Sequence, residues 1–301
     1  MGLSIFRFNE SNHRYSTVIL KLLRFEHADG PRLGRLDGEH VDDLTGLDPA
    51  LTDVLDWLLL PIPRRQALLQ MAAARHPVET VRWLLPVARP GKLVCLGLNY
   101  HDHAAEGGNK AGEYPAFFLR GNTSLVPHSA PVRRPRCSER LDFEAELAVV
   151  IGATARHRTA EDALECVGGY SVFNDGTLRD YQRRSSQWTI GKNFDATGPF
   201  GPWIVTPDAL PPGASGLRIC SRLNGRVMQD SNTRLMVTSV AQAIVLLSEC
   251  MTLEPGDVIA MGTPAGVGYA RTPPVFMRAG DRIDVEIEGI GVLSNPIEDE
   301  L

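Results

Sequence analysis

Residues 141–152, with the sequence LDFEAELAVVIG, alternate acidic and apolar positions and then become continuously apolar. Successive side chains of a β-strand point to opposite faces, so this pattern predicts a strand that carries Asp142, Glu144 and Glu146 on one face. The apolar run Ala148–Ile151 predicts that the strand is anchored in the core. Like charges repel at this spacing and buried carboxylates are unfavourable alone, so a buried face of this kind needs positive charge beside it.

The first part of the chain predicts a small separate unit. Alternation and glycine turns over residues 18–46 predict an antiparallel sheet. Helical spacing follows over residues 53–69 and is broken at Pro61. A proline-rich connection then predicts a domain boundary near Pro90. The expected division is a loose extension over residues 1–17, a small N-terminal α/β domain over residues 18–90 and a catalytic domain over residues 91–301.

Beyond this boundary the pattern indicates short strands and one long helix. Asn224 and Gly225 predict a hairpin turn between two strands. Apolar residues recur at helical spacing from Met236 to Met251, which predicts an amphipathic helix packed on a sheet. Runs of strands with few helices between them favour an α+β fold.

Composition narrows the function classes. The chain has 301 residues, 43% of them hydrophobic and 22% charged, with a formal net charge of -5. Without a basic surplus, nucleic acid is not an expected partner. No apolar run reaches the roughly 18 residues of a membrane span, and the first residues do not resemble a signal peptide, so the sequence predicts a cytoplasmic protein without a membrane partner. The cysteines are expected to be reduced, buried packing residues: Cys95, Cys137, Cys166, Cys220 and Cys250.

A metal site is one interpretation of the acidic strand. Asp175 follows Glu144 and Glu146 by about thirty residues, at a predicted strand end. Three carboxylates suit a hard divalent cation such as Mg²⁺ or Mn²⁺ and leave positions open for substrate. The alternative is a solvent-exposed acidic face paired with arginines, since exposed acidic residues are common.

A second candidate lies in the stretch NYHDHAAEGG. His103 and Glu106 would share one face of a helix, where the carboxylate can orient the imidazole as a general base. Two alternatives remain open from these residues alone. His101 and His103 could form an H-x-H zinc pair, or both could be ordinary surface histidines.

Eight segments together resemble the fumarylacetoacetate hydrolase family from about Pro90 to the end of the chain. In order, they are GLNYHDHAAE, LDFEAELAVVIG, GYSVFNDGTLRDYQ, WTIGKNFD, GPFGPWIVT, LNGRVMQDSNT, LEPGDVIAMGTPAGVG and EIEGIGVLSNP. The resemblance implies a mixed β-sheet, β-roll catalytic domain after a variable N-terminal domain. It also implies a homodimer with one Mg²⁺ or Mn²⁺ per subunit, and a small-molecule 2-oxo acid as substrate.

The resemblance also implies residue roles. Glu144, Glu146 and Asp175 match the family's metal ligands, whereas Asp142 does not. His103 and Glu106 match its water-activating dyad. The remaining matches are Lys192 near the metal, Arg179 and Gln182 facing the substrate, and Thr263 on the substrate carboxylate. Because Leu98 replaces a basic residue of some members, Arg120 is expected to serve as a carboxylate anchor.

These roles imply a metal-dependent hydrolase of the small bacterial acylpyruvase-like branch. Water activated by the dyad would cleave a C–C bond of an acylpyruvate or related 2,4-dioxo acid, and the metal would stabilise the released pyruvate enolate. The same scaffold could instead decarboxylate oxaloacetate or isomerise a 2-hydroxymuconate-type acid, because fold and metal do not fix the substrate. A third hypothesis is a binding protein without turnover.

Overall fold

The computed structural model describes residues 20–106 and 114–301, which form three β-sheets with a few short helices. This architecture confirms the α+β class with a mixed β-sheet. The expected loose extension, residues 1–17, lies outside the described residues.

The N-terminal part begins with an antiparallel sheet, as predicted. Its strands and helices are β1 (Lys21–His27), β2 (Gly30–Asp37), β3 (His40–Asp43), α1 (Val54–Leu59), α2 (Ile62–Leu69), β4 (Arg75–Pro77) and β5 (Arg82–Leu84). Helix α1 starts at a capping box in which the Asp53 side chain accepts a hydrogen bond from a helix N–H and Asp56 accepts one from Asp53. Pro61 separates α1 from α2, since proline cannot continue the helix.

The remainder of the chain contains most of the strands. The elements are β6 (Leu93–Gly97), α3 (His101–Glu106), β7 (Ala116–Leu119), β8 (Leu125–Val126), β9 (Val132–Arg134), β10 (Leu141–Asp142), β11 (Ala145–Ile151), β12 (Val167–Asn174), β13 (Thr177–Leu178), α4 (Arg179–Gln182), α5 (Thr189–Lys192), β14 (Gly198–Val205), β15 (Arg218–Leu223), β16 (Arg226–Asn232), α6 (Val240–Cys250), β17 (Val258–Ala260), β18 (Arg282–Ile287) and β19 (Gly291–Asp299).

The largest sheet joins both parts of the chain. Its order is β4-β3-β2-β1-β14-β12-β11-β17-β6-β7, with β5 on β1 and β8 on β14. Strand β1 joins β14 through Lys21 opposite Val205 and Leu22 opposite Ile204. The N-terminal strands therefore extend the sheet that carries β11 and β12.

A second sheet packs against this one. Its order is β16-β15-β18-β19-β9, and the hairpin from β15 to β16 turns at Asn224 and Gly225, both with positive φ. Helix α6 covers the core between the sheets, although it starts later than Met236, after a capping box of Ser239 and Gln242. The capping side chains fix this start, because they satisfy N–H groups that lack a helical partner.

The acidic stretch forms two strands, β10 and β11, instead of one. Strand β10 pairs with β13 in a separate two-stranded sheet, while β11 lies between β12 and β17. Both faces of β11 are covered. Leu147 and Val149 lie in one apolar cluster, and Ala148 and Val150 lie in the other. The apolar run therefore anchors the strand in the core, as predicted.

The cysteine prediction is partly wrong. Cys95, Cys166 and Cys220 are buried, whereas Cys137 and Cys250 are exposed because they lie in a loop and at the last position of α6. All five are free thiols. Within the described residues, none of the helices is long and apolar enough to cross a membrane.

The environment of His128 leads us to expect that the stability of the protein depends on pH. Burial lowers the pKa of this histidine from 6.5 to about 4, and its Nδ1 accepts a hydrogen bond from the Ser294 N–H. As the pH falls from 6.5 towards 4, the unfolded chain gains a proton that the folded protein does not, so stability is lost over this window. We expect the free energy of unfolding to fall by about 3 kcal/mol more in the wild type than in His128→Gln.

Urea unfolding at several pH values measures this difference. His101→Gln, at an exposed position of α3, is the matched control and should follow the wild type. Parallel pH profiles for the wild type and His128→Gln would contradict the assignment.

Candidate active site

Most of the predicted site residues line one cavity of about 480 Å³. Eight of the ten contribute to its wall: His103, Glu144, Glu146, Asp175, Arg179, Gln182, Lys192 and Thr263. The other two, Glu106 and Arg120, do not line it.

Two neighbouring strand ends bring the three carboxylates together. Ala145 of β11 lies opposite Asn174 of β12, so Glu144 and Asp175 flank this pair. The Asp175 N–H donates to the Glu144 carbonyl oxygen at 2.9 Å, which fixes the two residues against each other. Together with Glu146, they offer carboxylate oxygens that lie within 4.8 Å of one another.

The buried acidic cluster is only partly neutralised by side chains. The Lys192 ammonium donates to Glu144 at 2.7 Å and also to Asp175, and Arg179 Nη2 lies 2.7 Å from Glu144. Burial by itself raises the pKa of Glu144, but Lys192 and Arg179 outweigh it and lower that pKa to about 2. These contacts exclude the alternative of a solvent-exposed acidic face.

Glu146 is the carboxylate that lacks positive charge. It accepts a hydrogen bond from the Gly262 N–H at 2.9 Å, and no cationic side chain of the described residues pairs with it. Burial, followed by the charges of Asp175 and Glu144, raises its pKa well above the usual value. Three convergent carboxylate oxygens, one of them from a carboxylate without an ion-pair partner among the described residues, fit a hard divalent cation.

Asp142 has a structural role instead of a ligand role. It is fully buried and accepts hydrogen bonds from Arg179 Nε at 2.8 Å, from the Gly268 N–H at 2.8 Å and from the Tyr269 N–H at 2.9 Å. It therefore holds both Arg179 and the loop that carries Tyr269 against the cavity.

Helix α3 places His103 and Glu106 on one face, as the spacing predicts. Nδ1 of His103 and a carboxylate oxygen of Glu106 are 3.7 Å apart, and among the described residues the buried Nδ1 has no hydrogen-bond partner. Both oxygens of Glu106 lie near the Gly266 N–H, at 3.0 and 3.1 Å. His101 is exposed on the same helix while His103 is buried, so the two do not converge as a zinc pair.

Arg120 takes a different position from the one expected. Its side chain has 0% exposure and lies behind Asp175, to which it donates. Its other donors reach Gly176 O at 3.1 Å, Thr197 Oγ1 at 3.0 Å and Ser124 Oγ at 3.2 Å. With its guanidinium engaged in this way, Arg120 orients Asp175 and does not reach the cavity.

Thr263 is positioned by a residue that the sequence did not single out. Gln229 of β16 donates to Thr263 Oγ1 at 2.7 Å and accepts from the Ala145 N–H at 3.0 Å. Gly262, just before Thr263, has φ 82, and a Cβ there would lie 2.7 Å from that of Asn99. Glycine therefore allows the backbone to approach Glu146. Gln229 lies in the segment LNGRVMQDSNT, and the match of this segment to the family is the signal that could have indicated it.

An aromatic wall was also not predicted. Phe118 and Trp188 pack edge to face with ring centroids 5.7 Å apart, and Phe118 lies 5.2 Å from the Lys192 ammonium. A Cβ on Gly97 would lie 2.0 Å from the Trp188 ring, so glycine makes room for the indole. Leu98 also lines the cavity, so this part of the wall is apolar.

A cavity with convergent polar groups and buried carboxylates whose pKa values are shifted is typical of an enzyme active site. A sequence profile described as fumarylacetoacetate (FAA) hydrolase C-terminal matches residues 92–298. The chain therefore belongs to the fumarylacetoacetate hydrolase family.

Individual relatives narrow the comparison. The mitochondrial oxaloacetate tautomerase FAHD2A of Bos taurus is 39% identical over 290 residues, which cover 92% of this chain and 91% of that protein. Oxaloacetate tautomerase YisK of Bacillus subtilis (strain 168) is 40% identical over 232 residues, which cover 76% of this chain and 77% of that protein. A fumarylacetoacetate hydrolase structure from psychrophilic Exiguobacterium antarcticum superposes with a TM-score of 0.81 at 37% identity, covering 93% of this chain and 100% of that one.

Proposed function

We propose that the protein is an isomerase that interconverts the enol and keto forms of a 2-oxo acid of the oxaloacetate type. The observation that carries this proposal is that His103, with Glu106 beside its Nδ1, lines the same cavity as three convergent carboxylates. The names of the two oxaloacetate tautomerases also support it. They favour the isomerase alternative over the hydrolysis predicted from the sequence.

The triad of Glu144, Glu146 and Asp175 would hold one Mg²⁺ or Mn²⁺. When bound, the cation supplies positive charge for the oxygen on which negative charge develops as a 2-oxo acid enolises. Lys192 adds to this charge. Burial by itself lowers its pKa, but Asp175 and Glu144 outweigh burial and raise it, which favours the cationic form of Lys192 in the cation-free protein.

His103 is the group that moves the proton. Because Glu106 lies beside Nδ1, Nε2 is the ring nitrogen left for the substrate. In our proposal Nε2 takes a proton from C3 of the keto acid, and the electron pair of that C–H bond moves into the enolate. Return of the proton to the C2 oxygen gives the enol, and return to C3 gives the keto acid. No other reactant is consumed.

Thr263 and Gln182 would orient the acid. The Thr263 hydroxyl accepts from Gln229 and can therefore turn its own hydrogen towards a substrate carboxylate. Gln182 accepts from Arg179 Nη1 at 3.0 Å, which leaves its amide N–H groups for the ligand. These groups hold the acid with C3 beside the imidazole.

Loss of enol absorbance tests the proposal directly. Protein supplied with Mg²⁺ or Mn²⁺ should accelerate the conversion of enol-oxaloacetate to the keto form well above the buffer rate. Protein treated with a chelator should not do so, and re-addition of the cation should restore the rate. If the loaded protein leaves the buffer rate unchanged, the isomerase proposal is wrong.

A second candidate is hydrolysis of an acylpyruvate, since His103 and Glu106 could equally activate a water. The name of the Exiguobacterium antarcticum structure supports a hydrolase on this scaffold. Release of pyruvate from acylpyruvates, measured beside release of pyruvate from oxaloacetate, separates hydrolysis and decarboxylation from isomerisation. Turnover of any of these acids would exclude a binding protein without activity.

Assembly and location stay predictions. The homodimer is tested by light scattering of the full chain. A cytoplasmic location remains the expectation from sequence, and the name of the bovine relative places that protein in mitochondria.

A further inference from the structure

The cationic groups of the cavity differ in whether they are already engaged. Arg179 contacts Asp142 at 2.8 Å through Nε, Glu144 at 2.7 Å through Nη2 and Gln182 at 3.0 Å through Nη1. Lys192 is engaged by Glu144 and Asp175. Both buried cations therefore neutralise the protein's own carboxylates.

Arg183 lines the same cavity but has no such partner. In residues 20–106 and 114–301 no carboxylate forms an ion pair with it, and its side chain is exposed at the rim. A cation at the mouth of a cavity that contains acidic groups is available to an incoming anion.

The position of Arg183 is defined by its contacts. It follows the last residue of α4, and its N–H donates to the Arg179 carbonyl oxygen at 3.2 Å. Its guanidinium lies 4.5 Å from the centroid of the Tyr269 ring, and that of Arg179 lies 4.3 Å from the same ring. The backbone of Tyr269 is itself held in place, because its N–H donates a hydrogen bond to the Asp142 carboxylate. Stacking on a fixed ring limits the rotamers of Arg183 and favours binding of a carboxylate through two parallel N–H groups.

Arg179 and Arg183 line different parts of the cavity, because they are four residues apart along and just after α4. Arg183 lies one helical turn, about 6 Å, beyond Arg179, which contacts the triad residue Glu144. A 2-oxo acid whose reacting end lies at the triad would therefore meet Arg183 through a group further along its chain. The wall of Phe118, Trp188 and Leu98 offers no competing charge for such a group.

We infer that Arg183 is a specificity residue that binds the distal carboxylate of a dicarboxylic 2-oxo acid, so that the site selects diacids over monoacids. This inference rests on the proposed function and names its substrate class. Position 98 is a leucine and offers no positive charge for a substrate carboxylate. In this inference Arg183, which follows α4, supplies that charge instead.

Arg184 provides a matched control. It is the next residue, is also exposed and also stacks on a tyrosine, with its guanidinium 3.7 Å from the Tyr181 ring centroid. It does not line the cavity. Removal of its charge should therefore leave selectivity unchanged, although the net charge of the protein changes by the same amount as in the Arg183 variant.

The test compares oxaloacetate with its C4 monoethyl ester, which differ in the distal charge. In Arg183→Met, kcat/KM for the enol–keto conversion of oxaloacetate should fall roughly 10- to 100-fold, mainly through KM, the size expected for loss of a charged hydrogen-bonding pair. The value for the ester should change less than about threefold. Arg183→Lys should keep part of the preference and Arg184→Met all of it.

Equal losses for both acids in Arg183→Met, or no loss for either, would overturn the inference. If the wild type converts neither acid, the proposed function is wrong. The role of Arg183 is then tested separately by calorimetric binding of the two acids to Mn²⁺-loaded protein. A preference for the diacid of at least about tenfold that disappears in Arg183→Met would support the inference. Equal affinity of the wild type for both acids would reject it.

Discussion

Replacement of Glu146 by Gln should abolish divalent-cation binding and reduce activity roughly a thousandfold or more, while it raises the melting temperature of the cation-free protein. The first effect follows because one of three convergent ligand oxygens loses its charge, and the charge stabilisation supplied by a bound cation amounts to several kcal/mol. The second follows because burial, followed by the charges of Asp175 and Glu144, raises the pKa of Glu146, and Lys192 and the Gly262 N–H offset this only in part.

Two opposite responses make this prediction specific. The amide introduced by Glu146→Gln would keep an oxygen for the Gly262 N–H, and its NH₂ could donate to a neighbouring carboxylate, so packing is preserved. Calorimetric titration with Mn²⁺ measures cation affinity, and thermal unfolding with chelator measures the stability of the cation-free protein. Glu139→Gln, at an exposed position just before β10, should change neither quantity. A Glu146→Gln protein that binds Mn²⁺ like the wild type would show that the triad is not the cation site.

The carboxylate triad could be predicted because the local sequence pattern and the order of the segments along the chain both pointed to it. The two-residue period of a strand placed Glu144 and Glu146 together, and β12 returns beside β11 so that Asp175 meets Glu144. The same period failed for Asp142. Residues Phe143 and Glu144 lie between strands β10 and β11. Asp142 therefore belongs to another sheet, where its side chain accepts a hydrogen bond from Arg179. A hydrophobic pattern does not reveal such a change of sheet partner.

The roles of Arg120 and of the N-terminal strands depend on contacts that are distant in sequence. Arg120 reaches Asp175, Gly176 and Thr197, and each of these contacts spans at least 55 residues. The absence of a basic residue at Leu98 suggested a substrate anchor, but the position of a side chain behind Asp175 depends on packing that local propensity does not encode. The pairing of β1 with β14 is of the same kind, since two residue pairs join segments from opposite sides of the predicted boundary.

Replacement of His103 by Asn should reduce activity by roughly 10²- to 10⁴-fold, the range of general acid–base catalysis, with cation affinity unchanged. The imidazole lines the cavity with Glu106 3.7 Å from its Nδ1, but it is not one of the three carboxylates that would hold the cation, so proton transfer is lost and cation binding is kept. Glu106→Gln should give a smaller loss, because its side chain can still accept from the Gly266 N–H while it no longer supports a charged imidazole.

The matched control for this last prediction is His101→Asn, because His101 is exposed two residues earlier on the same short helix and should tolerate replacement without effect. Rates of enol–keto conversion and of pyruvate release, measured for all three variants with saturating Mn²⁺, give the comparison. Loss of one activity with retention of the other in His103→Asn would assign the imidazole to that reaction alone. A His103→Asn protein as active as His101→Asn in both assays would remove His103 from the chemistry, and the proton would then have to be moved by solvent or by another group of the cavity wall.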